Sequence, residues 1–389
     1  MHKITLKFNE DRRIRAGHLW VFSNEIKLIE GQPAVGDIVE VHSVGGEFLG
    51  TGFYNPRSLL AVRILSRVRR DIDQAFFKEK IAAALAYRAA LYPSFESIRL
   101  VFGESDGLPG LVIDKYGRYL VMQFLAAGME KQKDSIVAAA RELLDPAGII
   151  ARNDSPMRTL EGLELTREVL WGDIPERITI EEYNCSFLVD LASGQKTGFF
   201  IDQKDNRQIF ARYAEGKRVL DCFCHTGGFG IAAAKNRASQ IVFVDSSAPA
   251  IEIALANAAL NSISSAYEGC VADALQYLST AAPGKFDIIS IDPPALIKSR
   301  KFYPQGYKAY RKLNTVALEA LPSGGMLATS SCSHHMSPVD FRHMLEEAAA
   351  RSGKQVRLVE WGTQSKDHPI LLSMPETEYL KFALVQVIG

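Results

Sequence analysis

The chain has 389 residues, more than one typical core accommodates, which points to two or three domains. Basic and acidic residues balance at 45 each, so overall charge speaks neither for nor against nucleic acid, and only local clustering can decide. Five scattered cysteines, at 185, 222, 224, 270 and 332, argue against a disulfide-stapled secreted protein, and Cys222-Phe-Cys224 has the wrong spacing for a zinc knuckle, so no metal is expected.

Met1-His-Lys-Ile-Thr-Leu-Lys-Phe lacks a signal-peptide apolar core, and no run of about 18 apolar residues follows anywhere, so a cytoplasmic protein without membrane spans is expected. Residues 1–70 read as short strands broken by glycine, the pattern of a small β-barrel. Arginines cluster in this stretch: Arg12, Arg13 and Arg15, then Arg63, Arg67, Arg69 and Arg70. An RNA-facing surface is weighed against a merely solvated rim, and Arg12 and Arg13 are the candidates carried forward.

Residues 71–190 read as a middle α+β domain. A helix over 72–92 places Phe76, Phe77, Ile81, Ala84, Leu85, Arg88 and Leu91 at helical spacing, and Pro93 stops it. A strand meander follows, then a helix over 130–144 and strands near 149–152 and 179–190. No catalytic cluster stands out there. The linker 190–198 is polar and glycine-containing.

Residues 191–389 alternate strands and helices, the mark of a doubly wound, Rossmann-like sheet. Strands are expected near 218–221, 241–244, 267–271, 286–291, 326–331, 355–360 and 380–387, the last two as an antiparallel edge. The first ends in Asp221 and runs through Phe223, Thr226, Gly227 and Gly228 into an alanine-rich helix; the second closes on Asp245. Strand, glycine turn, helix and a second strand ending in an acid form a cradle for a nucleoside cofactor.

The loop has neither Gly-x-Gly-x-x-Gly spacing nor a Gly-Lys-Ser/Thr phosphate loop. Asp221 suits an ammonium rather than a phosphate, Asp245 a ribose, and Asp273 an adenine amine, which together favour S-adenosylmethionine (SAM). The bland alternative is that each acid caps a helix.

Asp292-Pro293-Pro294 resembles the acidic Pro-Pro motif of methyltransferases acting on a planar base, but Ala295 stands where an aromatic ring would stack, which demotes amine methylation. Cys332, between Ser331 and Ser333, raises another chemistry. A thiolate adding to carbon 6 of a pyrimidine makes carbon 5 nucleophilic enough to take a methyl group. His334, His335 and Lys298 are the cations that sequence proximity offers to ionise it, and Asp292 is the candidate base for the carbon-5 proton. Lys298, Arg300, Lys301, Tyr307 and Arg311 belong to a stretch of interleaved basic and aromatic residues without an acid, which suits single-stranded nucleic acid.

Thr197-Gly-Phe-Phe-Ile-Asp202-Gln203, Asp221-Cys-Phe-Cys-His-Thr-Gly-Gly-Phe, Asp292-Pro-Pro, Ser331-Cys332-Ser333 and Asp367-His-Pro together resemble the bacterial large-subunit rRNA 5-methylcytosine methyltransferases, over the whole chain. Gly17-His-Leu-Trp-Val-Phe-Ser resembles the start of that family's N-terminal PUA domain. The resemblance implies SAM as methyl donor, a cytosine in 23S rRNA as target, and Cys332 as nucleophile. It also implies that Asp202 and Gln203 lie over the cofactor pocket; Asp292 and Pro293 are further cofactor-binding candidates. Its partner would be 23S rRNA or a precursor of the large subunit, with no membrane and no metal; a homodimer is compatible with it. Where members often carry Lys-Phe after Pro-Pro, this chain has Ala295-Leu296, which bears on the target nucleotide. The competing readings are methylation of uridine carbon 5 or of an exocyclic amine, and a non-catalytic RNA-binding assembly factor.

Overall fold

A computed structural model of the chain describes residues 2–94, 96–191 and 198–388. Thr197, and most of the linker expected over 190–198, lie outside the described residues. The chain forms two compact units: one of Met1–Ile178, Val189–Ile201 and Lys366–Thr377, the other of Thr179–Leu188, Asp202–Ser365 and Glu378–Gly389.

In the first unit, β1 (His2–Leu6), β2 (Trp20–Phe22), β3 (Ile26–Glu30), β4 (Ile38–His42), β5 (Phe48–Tyr54) and β6 (Leu60–Ser66) form one sheet in the order β2-β6-β5-β4-β1-β3. Alternation puts Ile4, Leu6, Val39, Val41, Val62 and Ile64 into one core. A second sheet, β7 (Ser97–Phe102), β8 (Leu111–Tyr116), β9 (Tyr119–Phe124), β10 (Gly148–Asn153) and β11 (Thr166–Gly172), runs β11-β10-β9-β8-β7. The helix Gln74–Leu91 packs Phe76, Phe77 and Ile81 onto it, and Asp73 caps that helix by accepting from the Phe76 N–H.

Each sheet has its own apolar cluster, but the first sheet also contributes to the second. Phe53 and Leu65, from the first sheet, belong to the apolar cluster of the second. Arg63 on β6 donates to Glu104 and Glu161, both at 3.1 Å, and the Trp20 indole donates to Glu104 at 2.9 Å. The Asp367-His-Pro stretch also belongs to this unit. Asp367 is buried, accepts from the Arg99 backbone N–H at 2.9 Å on its carboxylate and from the Arg88 guanidinium at 2.8 Å on its carbonyl.

One expectation is corrected. The span 179–190 is not a single strand of the middle domain but a hairpin, β12 (Ile178–Glu182) and β13 (Cys185–Val189), broken where Tyr183 takes φ 52°. It joins the second unit because the Ser186 and Leu188 N–H groups donate to the side-chain oxygens of Asn261 and Asn257, each at 2.8 Å.

The second unit is built on β14 (Arg218–Cys222), β15 (Gln240–Asp245), β16 (Ala266–Val271), β17 (Ile288–Ile291), β18 (Met326–Ser331), β19 (Val356–Gly362) and β20 (Lys381–Val387). The order is β16-β15-β14-β17-β18-β20-β19, parallel except for β20, which is antiparallel to both its neighbours. The strand order reverses at β14, where β15 lies on one side and β17 on the other, so a crevice opens beyond their carboxyl ends. Near-continuous apolar runs such as Ile241–Val244 and Ile288–Ile291 are buried, as a sheet covered on both faces requires.

Candidate active site

The glycine loop leaves the end of β14 with Phe223 at φ 58°, His225 at φ 49° and Gly227 at φ 82°. Gly227 caps the helix Gly228–Lys235 in the left-handed conformation that glycine adopts without strain. At Gly228 a Cβ would lie 2.9 Å from Cδ of Arg207. Arg207 cannot yield readily, because Glu182 takes its Nε at 2.7 Å and its Nη2 at 2.5 Å, and both residues are buried.

Asp221 faces inward rather than toward the crevice. It is 1 % exposed, and its two oxygens accept from the Gly230 N–H at 2.8 Å and the Ser290 hydroxyl at 2.6 Å. Burial pushes its carboxyl up to about 6, partly offset by those hydrogen bonds. In the fold it acts as a brace: it ties the first turn of the helix to β14 and β17. Thr226 is buried, with its carbonyl accepting from Asn257 at 3.0 Å, and Phe223 is half-buried against the core. Cys222 and Cys224 are packing residues whose thiols burial pushes far above the ordinary range.

Asp245 and Asp273 part company. Asp245 is half-buried at the end of β15, with one backbone N–H on each oxygen, from His225 at 3.0 Å and Ser247 at 2.9 Å. Each of those oxygens retains acceptor capacity for a hydroxyl. Asp273 is exposed and caps the helix Ala274–Thr280 by accepting from the Gln276 N–H at 2.9 Å. For Asp273 the capping alternative is what the structure displays.

Across the switch point, Asp202 and Gln203 are buried. Tyr379 donates to Asp202 at 2.6 Å, and Gln203 donates to the Ser330 hydroxyl at 3.0 Å. Gln203 thus sits against β18, two residues before Cys332. The negative charges of Glu182, Asp202 and Asp292 all favour the protonated Arg207 against its burial. Asp292 and Pro293 directly follow β17, whose Ile291 pairs with Thr329 of β18, so Asp292 and Cys332 leave neighbouring parallel strands at the same edge.

Cys332 is half-buried, between the fully buried Ser331 and Ser333. Ser333 is a hub. Its hydroxyl accepts from the Ile297 N–H at 3.1 Å and lies 2.9 Å from the Tyr310 hydroxyl, while its carbonyl accepts from Lys381 Nζ at 2.7 Å. The segment after Pro-Pro is thereby fastened to the cysteine segment. His334 and Lys298, offered by sequence proximity, are exposed. Lys381, which sequence reading missed, is buried and donates to the carbonyl of Ser333, the residue after the cysteine. The available signal was a lysine heading the apolar run Phe382–Val385.

Lys298, Arg300 and Lys301 are exposed. Tyr307 and Arg311 are half-buried and turn to Glu347 on the helix Pro338–Ser352, the tyrosine at 3.2 Å and the arginine in an ion pair. The acid absent from the local sequence comes from another helix. In the first unit, Arg12 is exposed, whereas Arg13 pairs with Glu25 and covers the Phe22 ring at 4.9 Å. Arg69 and Arg70 pair with Glu40 and Glu79. Among the described residues no group of His, Cys, Asp and Glu is placed to hold a metal ion, and no helix is long and apolar enough to cross a membrane.

Residues 163–374 match the model of S-adenosylmethionine-dependent methyltransferases. The chain belongs to that family. Residues 4–67 match a PUA-like domain. The chain is 36 % identical over 386 residues to the Ribosomal RNA large subunit methyltransferase I of Escherichia coli, covering 97 % of this chain and 98 % of that one. The Shigella dysenteriae protein of the same name is 35 % identical over 393 residues, covering 99 % of both. It is therefore one of the large-subunit methyltransferases I, with SAM as its methyl donor. A crystal structure of the methyltransferase candidate SMU.776, complexed with SAH, has the same fold, with a TM-score of 0.86, 23 % identity and full coverage of both chains.

Proposed function

We propose that this enzyme forms 5-methylcytosine in 23S rRNA, with Cys332 as the nucleophile. The observation that carries this reading is the setting of Cys332: half-buried among serines, at the sheet edge where Asp292 also ends its strand.

The residues fit SAM. The glycine turn at Gly227 and Gly228 opens a helix at the end of β14, Asp245 offers acceptors to the ribose hydroxyls, and Asp202, Phe223, Thr226, Asp292 and Pro293 are assigned to the same cofactor site. Bound SAM supplies an electrophilic methyl group, whose bonding pair to sulfur departs with the donor. The protein's residues make the acceptor. The Cys332 thiolate adds to carbon 6, forming the S–C6 bond and moving the C5=C6 pair to carbon 5. After carbon 5 gains the methyl group, Asp292 takes the carbon-5 proton. The C–H pair restores C5=C6, and the S–C6 pair returns to Cys332. Lys298, Arg300 and Lys301 are exposed cations suited to phosphates, and a paired base would be flipped out to reach the thiol. Arg12, exposed in the PUA-like domain, is assigned to RNA as well.

A 23S rRNA fragment carrying 5-fluorocytosine tests this directly. Carbon 5 then has no proton to lose, so the adduct accumulates and migrates as a covalent complex, and Cys332→Ala abolishes it. Methylation at an undiminished rate by Cys332→Ala would discard the covalent route. Nucleoside mass spectrometry of the product separates 5-methylcytosine from 5-methyluridine and from amine-methylated bases.

A further inference from the structure

Lys381 is 2 % exposed and heads β20. It lies opposite Ser331 across the antiparallel ladder with β18. Its Nζ donates to the carbonyls of Ser333 at 2.7 Å and Tyr379 at 2.9 Å. The lysine is thus registered against both neighbours of Cys332, by the ladder before it and by a hydrogen bond after it.

A buried ammonium resting on carbonyl dipoles alone is costly, and such groups usually have an anionic partner. Cys332 and Glu378 are placed so that, when ionised, each favours protonated Lys381 against its burial. Tyr310, on the helix Tyr303–Ala320, also faces Ser333, and burial keeps its hydroxyl protonated. Burial brings Lys381 down to about 8, so it still carries its proton at neutral pH.

We propose that Lys381 is the cation that holds the Cys332 sulfur as a thiolate. This rests on the reading of Cys332 as the nucleophile. The cysteine proton goes to solvent, Lys381 keeps its own, and the ion pair is strengthened by the low local dielectric. Lys381 is a positioning residue that acts through the thiol and touches neither base nor donor.

The test uses the full chain with Cys270→Ser, which removes the other half-buried thiol. Iodoacetamide alkylation of Cys332 is followed by intact mass from pH 5 to 10, with Cys332→Ala as the blank. Lys381→Met should raise the midpoint by about one pH unit or more and slow alkylation about ten-fold at pH values below the parent's midpoint. A merely structural lysine would move the melting temperature and leave the midpoint in place. An unmoved midpoint in folded Lys381→Met overturns the proposal. Should that variant not fold, the reciprocal measurement applies. In Cys332→Ser, the 13Cε resonance of Lys381 should titrate at a lower pH than in the parent, and an unchanged value overturns the proposal equally. Neither readout needs RNA. Retained methylation by Cys332→Ala would therefore remove the nucleophile reading without deciding the pairing.

Discussion

Glu182, in the hairpin before the methyltransferase sheet, grips Arg207 through two hydrogen bonds of 2.7 and 2.5 Å, and both side chains are buried. The clamp fixes the arginine stem against the backbone of Gly228, so the floor of the cofactor loop is set by a residue outside the Rossmann-like sheet.

Gly228→Ala should therefore weaken SAM binding roughly five- to hundred-fold by calorimetry. The added methyl meets an arginine that cannot move aside, a conflict of about 1–3 kcal/mol. Adding Glu182→Gln, which loosens the clamp, should recover part of the affinity. Unchanged affinity in Gly228→Ala would show that the loop adapts.

Asp245 and Asp273 should separate cleanly. Asp245→Ala is expected to raise the SAM dissociation constant ten- to hundred-fold, since hydrogen bonds to a charged group contribute about 1.5–3 kcal/mol. Asp273→Ala should leave that constant within about two-fold and lower stability by about 1 kcal/mol, the usual cost of a lost cap. Calorimetry and urea melts read both.

The basic stretch should split in the same way. Lys298→Ala, Arg300→Ala and Lys301→Ala combined should weaken RNA binding and reduce the slope of log affinity against log salt by about 2, at roughly 0.7 per single-strand phosphate. Arg311→Ala removes the partner of Glu347, so it should leave the slope unchanged and cost up to about 1 kcal/mol of stability.

Asp221 should make stability depend on pH. Its carboxyl is raised from 3.8 to about 6 in the fold, so the folded state binds the proton more tightly than the unfolded chain. That contribution is complete below about pH 4 and is lost as pH rises through about 6. The stability of the parent relative to Asp221→Asn should fall by about 2 kcal/mol between pH 4 and pH 7 in urea melts. A difference independent of pH would place the folded carboxyl at its ordinary value.

Much of the second unit was legible in order along the chain. Apolar runs of strand length, the glycine turn after Asp221 and the acid closing β15 are local patterns, and strand and turn preferences act over a few residues. Cys332 was legible because its serine neighbours are unusual for a strand leading to a buried edge. The hairpin at 178–189 was not, because its break depends on Tyr183 adopting φ 52° rather than on a glycine.

What the sequence determined by itself was the inventory: a nucleoside cradle, an acidic Pro-Pro turn, a polar-flanked thiol and clusters of cations. Only the tertiary structure decided which charges are spent inside the protein. Asp221 braces the loop, Asp273 caps a helix, Arg311 turns to Glu347, and the cation on the Ser333 carbonyl comes from β20. Charge partners meet across strands and helices far apart in the chain, and burial decides what each charge needs, so sequence spacing carries no record of the pairing.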